Sequence, residues 1–452
     1  MRDAELRPSS GRFRRAIGSY VFKGSAYSVS SQILSMGTGI VSLPLLLNYL
    51  GRQEYGIWAL TFSTLSFTSF LDFGITPKLK NKLAAAFAAD NHDALRYYTI
   101  GSLRVAVALV MFGAVLSVIA YFLNWQAIFG ARPGVGGKEL SLFVSCALFV
   151  LMISLALTLI EAVFAAQLKI DVPKKYSIAG SVVGLIFLIL AILLRVSLPL
   201  LCLFYYLPAL AMRSTLIIKI YPPGGLGGVS SLSELRVLVA ELLNDSMKFV
   251  GIQFSAVVLG AAPNLFVARY LSLSDVATFS VAYKFVTIPL VLLSSVLPVF
   301  WPRFTVAWEK REYNWFEKRF RRVVLLTNAS IIPCAGLFFA FGNEIVKMWT
   351  GGTLNIPSSL LLVLSGWVLV QANVYWFSTF LHSISDFTYE LIYYLATSIL
   401  LVGSLLFFVP AYGLFGVVGG MLVSLIVGSL VPFMARVRRR VNEMPKSFHL
   451  AA

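Results

Sequence analysis

Acidic residues are scarce in this chain: 20 Asp and Glu among 452 residues, against 37 Lys and Arg. Cysteine and histidine are scarcer still, three of each. Cys146, Cys202 and Cys334 each fall inside an apolar run with no partner at metal-ligand spacing. That excludes a disulfide framework and leaves the thiols as small core hydrophobes. His92, His382 and His449 are isolated, so no zinc site is expected and the metal set is empty. No Gly-x-Ser-x-Gly and no pair of neighbouring catalytic carboxylates is found, and no catalytic residue is assigned. A Walker motif is also missing. The run GARPGVGGK at 130–138 has its first glycine misplaced, and Glu139 stands where that motif needs Ser or Thr. These absences point away from an enzyme and from direct use of ATP.

What the chain has is apolar residues. It is 58% hydrophobic and 13% charged, with mean hydropathy +0.82, whereas a soluble domain is nearer about half apolar and about a quarter charged. The expected fold class is an all-α polytopic membrane protein. Twelve apolar runs of spanning length are legible, at 24–47, 55–71, 97–123, 140–162, 177–194 and 198–218, then 248–268, 278–301, 323–341, 358–381, 391–409 and 413–434. They fall into two sets of six. Residues 24–219 form the first lobe and 248–434 the second. Between them lies a linker at 220–247, containing YPPGGLGGV and a capping-box pattern, Ser231 to Glu234, that opens an amphipathic helix. Residues 1–23 and 435–452 are basic end segments. The first lacks a signal cleavage site and is read as a retained cytosolic tail.

Charge placement sets the orientation. With both ends inside, 28 of the 37 Lys and Arg fall on cytosolic segments and six on periplasmic loops, and three lie within spans. Lysine and arginine resist translocation, so this bias defines the cytosolic face. The net charge of +17 therefore serves topology and anionic lipid, and nucleic acid is not needed as a partner. The loop 303–322, basic and aromatic, is expected to lie as a helix on the cytosolic surface. Tyr49-Leu50-x3-Glu54-x-Gly56 after the first span is echoed by Tyr270-Leu271-x3-Asp275-x-Ala277 after the seventh, as a parallel repeat of the two halves would require. Gly180-x3-Gly184 and Gly416-x3-Gly420 are expected to pack helices tightly within a lobe.

The first hairpin, YLGRQEYGIWAL followed by LDFGI and a basic loop, resembles that of the Wzx-type polysaccharide flippases of the multidrug/oligosaccharidyl-lipid/polysaccharide exporter superfamily. Weaker echoes lie at 269–284 and 348–351. The resemblance implies two six-helix lobes around a central cavity with alternating access, in the bacterial inner membrane. It implies an undecaprenyl-diphosphate-linked oligosaccharide as substrate, moved from the cytoplasmic to the periplasmic leaflet, with membrane lipids, a polysaccharide polymerase and a chain-length regulator as partners. Three other functions fit the residues less well. A cation-coupled multidrug exporter commonly has an acid in the first span, and 24–47 has none. A membrane polymerase needs a larger extramembrane loop than these. A peptidoglycan-precursor flippase tends to carry more than twelve spans.

Arg104 in the third span and Lys284 in the eighth are intramembrane cations. Each costs about 2.5–3.5 kcal/mol at a helix centre and so tends to face a cavity. With the resemblance, they become the candidate holders of a lipid diphosphate, one toward each membrane face. The alternative is that they snorkel to the headgroups. Arg213, beside Lys219, and Arg269, facing Asp275 in a periplasmic hairpin, are secondary candidates. No cofactor is expected. Coupling to H⁺ or Na⁺ needs a titratable group, and the candidates are Asp72, which alternatively ends a helix beside Lys78 or Lys80, and Glu161 near Lys169. Gln32, Asn48 and Gln371 are uncharged polar residues in or beside spans, suited to sugar hydroxyls or to interhelical bonds.

Overall fold

A computed structural model describes residues 11–129, 136–167, 169, 171–220, 232–243, 247–384 and 386–442. The first half comprises α1 (Gly11–Leu65), which runs into a 3-10 turn (Ser66–Asp72), then α2 (Ile75–Ala88), α3 (His92–Phe122), a short α4 (Trp125–Phe129), α5 (Gly137–Ala166), α6 (Asp171–Leu193) and α7 (Leu198–Ile220). After α8 (Leu232–Leu243) come α9 (Met247–Tyr270), α10 (Leu273–Val286), α11 (Ile288–Glu309), α12 (Tyr313–Trp349) and α13 (Ser358–Ser383). The chain closes with α14 (Phe387–Leu425), a π-helical turn (Ile426–Leu430) and α15 (Val431–Asn442). No strand occurs among the described residues.

Two of these segments are each two helices joined at a glycine. The α1 segment breaks at Gly51 (φ 72°) and α14 at Gly413 (φ 57°), a region of backbone space that side chains disfavour and glycine accepts. About Gly413 the chain folds back on itself. A Cβ on Gly416 would sit 1.9 Å from the Phe408 carbonyl oxygen, and one on Gly420 would sit 3.3 Å from Ser404 Cβ. Among the described residues, seven helices are long and apolar enough to cross a membrane, or eight when α10 and α11, bent by 49°, count as one span. With the breaks at Gly51 and Gly413, the order of elements is consistent with twelve crossings. Gly180 and Gly184 lie against the carbonyls of Ala209 and Tyr205 on α7, within the first half as expected.

The basic residues at 11–23 belong to the opening turns of α1 instead of a separate tail. Residues 1–10 and 443–452, and 221–231 and 244–246 of the linker, lie outside the described set. The amphipathic linker helix forms as α8 and packs on α2 and α3. Leu238 and Leu242 are its buried anchors. Lys82 Nζ lies 2.7 Å from Glu241 Oε1, and the Tyr98 hydroxyl donates to the same oxygen at 2.8 Å. The Lys82 ammonium bonded to it holds the Glu241 carboxyl below its ordinary value of 4.5. The contact is therefore fully present at neutral pH and is lost as pH falls through that depressed value. In acid, labelling of a Val239→Cys variant is expected to rise below the ordinary carboxylate range, and adding Glu241→Gln should flatten that response.

The basic aromatic segment 303–322 is not a surface helix, which corrects the sequence expectation. The α11 and α12 helices overshoot the apolar layer and meet at a tight turn where Arg311 takes φ 57°. Three of the aromatic side chains pack inward while Trp315 stays exposed: Phe316 lies 5.0 Å from Phe304 and 5.1 Å from Phe380, ring centre to ring centre, and Trp308 lies 5.9 Å from Phe316. Buried ring pairs of this kind add about 0.5–1.5 kcal/mol each beyond the area they bury, which holds the ends of the two helices together. On the same end of the bundle, Arg436 and Arg440 of α15 hold Asp386 at 2.8 and 3.1 Å, and Arg436 stacks on Tyr389 at 3.6 Å. We call this the linker end; the Gly51 end is opposite.

The two halves close on one another at the Gly51 end. Gly56 faces the Leu273 carbonyl, where a Cβ would come within 2.0 Å of the oxygen. Arg52 Nε donates to the Thr353 carbonyl at 2.5 Å, and Trp349 Nε1 donates to that of Ile40 at 2.8 Å. The echoed motifs both sit here, each at the hairpin that follows the first helix of its half. Along the seam towards the linker end, Gln253 Nε2 donates to the Ser69 carbonyl at 2.7 Å.

Candidate functional site

Three connected cavities lie along the interface and inside the second half. Those of 330 and 270 Å³ sit between the halves, and Lys284 lines both. The α10 helix ends two residues after Lys284, where Thr287 caps it at the bend. A cation in a last helical turn is favoured by the unpaired carbonyls there. Its Nζ lies 3.3 Å from the Tyr55 hydroxyl and 5.8 Å from the Tyr55 ring centre, so it bridges from the second half to the first. Beside it Asn264 Nδ2 donates to Ser63 Oγ at 2.5 Å and Asn264 Oδ1 accepts from Ser280 Oγ at 3.1 Å. This polar bridge across the seam escaped the sequence reading, because an asparagine among apolar residues has no distinguishing spacing.

The largest cavity, 510 Å³, lies within the second half and shares Leu259, Gly260 and Tyr283 with the 330 Å³ one. Its wall mixes rings and hydrogen-bonding groups: Trp367, Gln371 and Tyr375 of α13, and Tyr394 of α14. At its linker end His382 Nε2 lies 2.5 Å from Glu390 Oε2, and Ser378 Oγ donates to Glu390 Oε1 at 2.6 Å. Gln371, read from sequence as a hydrogen-bonding residue, is therefore on a cavity wall. Asn48 lies beside Gly351 at the closed end, and the side chain of Gln32 is outside the described set.

The other anticipated residues are placed differently. Arg104 is on α3, which packs chiefly on α2, α5 and α8 and turns Val107, Met111 and Val115 outward; it lines none of the three cavities. The structure thus does not bring Arg104 and Lys284 to one site. Arg213 lines none of these three cavities and is held by an ion pair. Its Nε and Nη2 donate to Glu161 Oε1 at 2.9 and 2.7 Å, and Nη1 donates to Ser154 Oγ at 3.1 Å. Glu161 is thereby engaged by Arg213, 52 residues along the chain, where the sequence had offered Lys169 as its neighbour. Replacing Glu161 by Ala should leave the half-buried guanidinium without its acceptor and destabilise the protein by about 2 kcal/mol, seen as a lower melting temperature. Glu161→Gln should cost less.

Asp72 is buried, but it works as a helix cap: its Oδ1 accepts from the Thr76 amide at 3.1 Å and from the Thr76 hydroxyl at 2.5 Å. Arg269 is exposed at the end of α9, and Asp275, its expected partner, is taken up by the Ser272 hydroxyl at 2.6 Å in a cap of α10.

These features define a class: an all-helical, multi-pass membrane protein whose two halves enclose connected cavities with one cation on the shared wall. Residues 21–308, more than half of the chain, match the family described as polysaccharide biosynthesis protein, and the chain belongs to that family. It is 19% identical over 404 residues to a putative O-antigen transporter of Salmonella typhimurium strain LT2, spanning 87% of this chain and 91% of that protein. It is 22% identical over 350 residues to the succinoglycan biosynthesis transport protein ExoT of Rhizobium meliloti strain 1021, spanning 77% of this chain and 63% of that one. Among solved structures, an inward-facing multidrug resistance MATE family transporter of the MOP superfamily superposes with a TM-score of 0.74 at 14% identity, over 94% of this chain and 99% of that one. The lipid II flippase MurJ in an inward closed conformation gives 0.68 at 15% identity, over 92% and 87%. At such identities the likeness concerns the fold.

Proposed function

We propose that this protein is a flippase that carries an undecaprenyl-diphosphate-linked oligosaccharide from the cytoplasmic to the periplasmic leaflet by alternating access. The carrying observation is Lys284, an ammonium on the wall shared by two cavities between the halves, in a chain of the polysaccharide biosynthesis family. A diphosphate is attracted to a cation, and the exposed Lys284 ammonium facing these cavities supplies one. The adjoining 510 Å³ cavity, with its rings, Gln371 and Ser378, suits the hydroxyls and apolar faces of sugars. The names of the two relatives, transporters of O-antigen and of succinoglycan, support the same substrate class.

In this reading the linker end is cytosolic, the protein sits in the inner membrane with both termini inside, and the closed Gly51 end is the periplasmic gate. The Lys and Arg bias supports that orientation. A polymerase and a chain-length regulator would act on the delivered product. Deleting the gene is expected to make lipid-linked oligosaccharide accumulate on the cytoplasmic leaflet, as read by lectin access to inside-out against right-side-out vesicles. Equal distribution with and without the protein would refute the reading.

A further inference from the structure

Glu390 has no part in the scheme above. Its side chain is 2% exposed, in the first turn of α14; Ser378 of α13 donates to Oε1, while Oε2 accepts no hydrogen bond among the described residues and lies against the His382 imidazole. His382 is 26% exposed and faces the 510 Å³ cavity. A buried carboxylate is thus reached from the cavity through an imidazole, the side chain whose ordinary charge change falls between about pH 5 and 8.

On the cavity wall, the titratable groups near the pair are Tyr375 of α13, Tyr394 of α14 and Tyr283 of α10. The α9 and α11 helices present Ala256, Leu259, Gly260, Ser294 and Leu297, and no Lys or Arg is among the described wall residues. Asp386, one turn earlier on the chain, has its own cations in Arg436 and Arg440 of α15. Within that wall a proton, carried on His382 or on the carboxyl itself, is the charge that can offset Glu390. Sodium fits less well, because hard cations take oxygen ligands and the nearest group is an imidazole nitrogen.

We propose that His382 and Glu390 form a proton-binding site at the linker end of this cavity, and that its occupancy couples proton movement to the opening and closing of the two halves. One proton enters from cavity water and is shared by the pair. When it leaves to water, a carboxylate remains that faces a neutral imidazole and the Ser378 hydroxyl. That state is relieved when α14 shifts on α13 and admits water, so the packing of the second half follows the proton. The site rests on the flippase reading only for what the proton drives.

The test uses the full chain in nanodiscs, without lipid-linked sugar, so its outcome is independent of that reading. Infrared difference spectra between pH 5 and 8 should show one titrating carboxyl–imidazole signal, which is absent in Glu390→Gln and in His382→Gln. In parallel, the disulfide yield of an Arg52→Cys/Thr353→Cys variant, which reports closure of the Gly51 end, should change severalfold over this range and lose its pH dependence with Glu390→Gln. Should Glu390→Gln fail to fold, His382→Gln serves in its place. No titrating signal, or a signal unchanged in either variant, would overturn the site. A signal without any change in cross-linking would overturn the coupling. A response to sodium at fixed pH that choline does not reproduce would replace the proton by sodium.

Discussion

Lys284→Ala is expected to abolish or sharply reduce surface polysaccharide while leaving the amount of protein in the membrane unchanged. Hydrogen bonds to a charged group contribute about 1.5–3 kcal/mol, so affinity for undecaprenyl diphosphate should fall roughly 10- to 150-fold. Folding should not suffer. Among the described residues the ammonium has the Tyr55 hydroxyl and ring as its contacts and no carboxylate that its removal would strand. Removing a charge from a spanning helix also lowers the cost of insertion. Lys284→Arg should recover part of the activity, because a guanidinium can grip phosphate from the same wall. Normal polysaccharide in the alanine variant, at normal abundance, would remove Lys284 from the site.

The second large effect is expected at Gly56. A methyl group there would come within 2.0 Å of the Leu273 carbonyl oxygen, across the seam between the halves. Backbone cannot yield as a side-chain tip can, so the halves must separate. Overpacking of this kind costs about 1–3 kcal/mol, which shifts a two-state equilibrium by roughly 5- to 150-fold. In Gly56→Ala the closed Gly51 end should be depopulated, and the disulfide yield between cysteines placed at Arg52 and Thr353 should fall accordingly. Retained cross-linking would mean that this contact is not a gate.

Much of the architecture was legible because lipid imposes simple rules. Apolar runs of fixed length and basic clusters between them are one-dimensional signals, and they pointed to the helices and to Lys284, which lies on a cavity wall. The pairings were not legible. Arg213 and Glu161 are 52 residues apart, and only the packing of α5 on α7 joins them. Glu390 resembles an ordinary acid in a first helical turn, and His382 a stray residue at the end of the preceding span. Their contact exists because the α13–α14 turn is short. For Arg104, insertion cost says that a cation needs relief, but not which side of the helix provides it. The segment 303–322 misled because charge and aromatics on one segment suit a membrane surface as well as they suit the protruding ends of two helices.

The cluster of rings at Phe304, Phe316, Phe320 and Phe380 bolts α11, α12 and α13 together. A wedge of interlocked aromatic faces resists shear, since sliding any one ring strips contact from the others. Those three helices should therefore swing as one stiff paddle during transport. Spin labels placed on them should hold constant separations while their distances to the first half lengthen and shorten with each cycle.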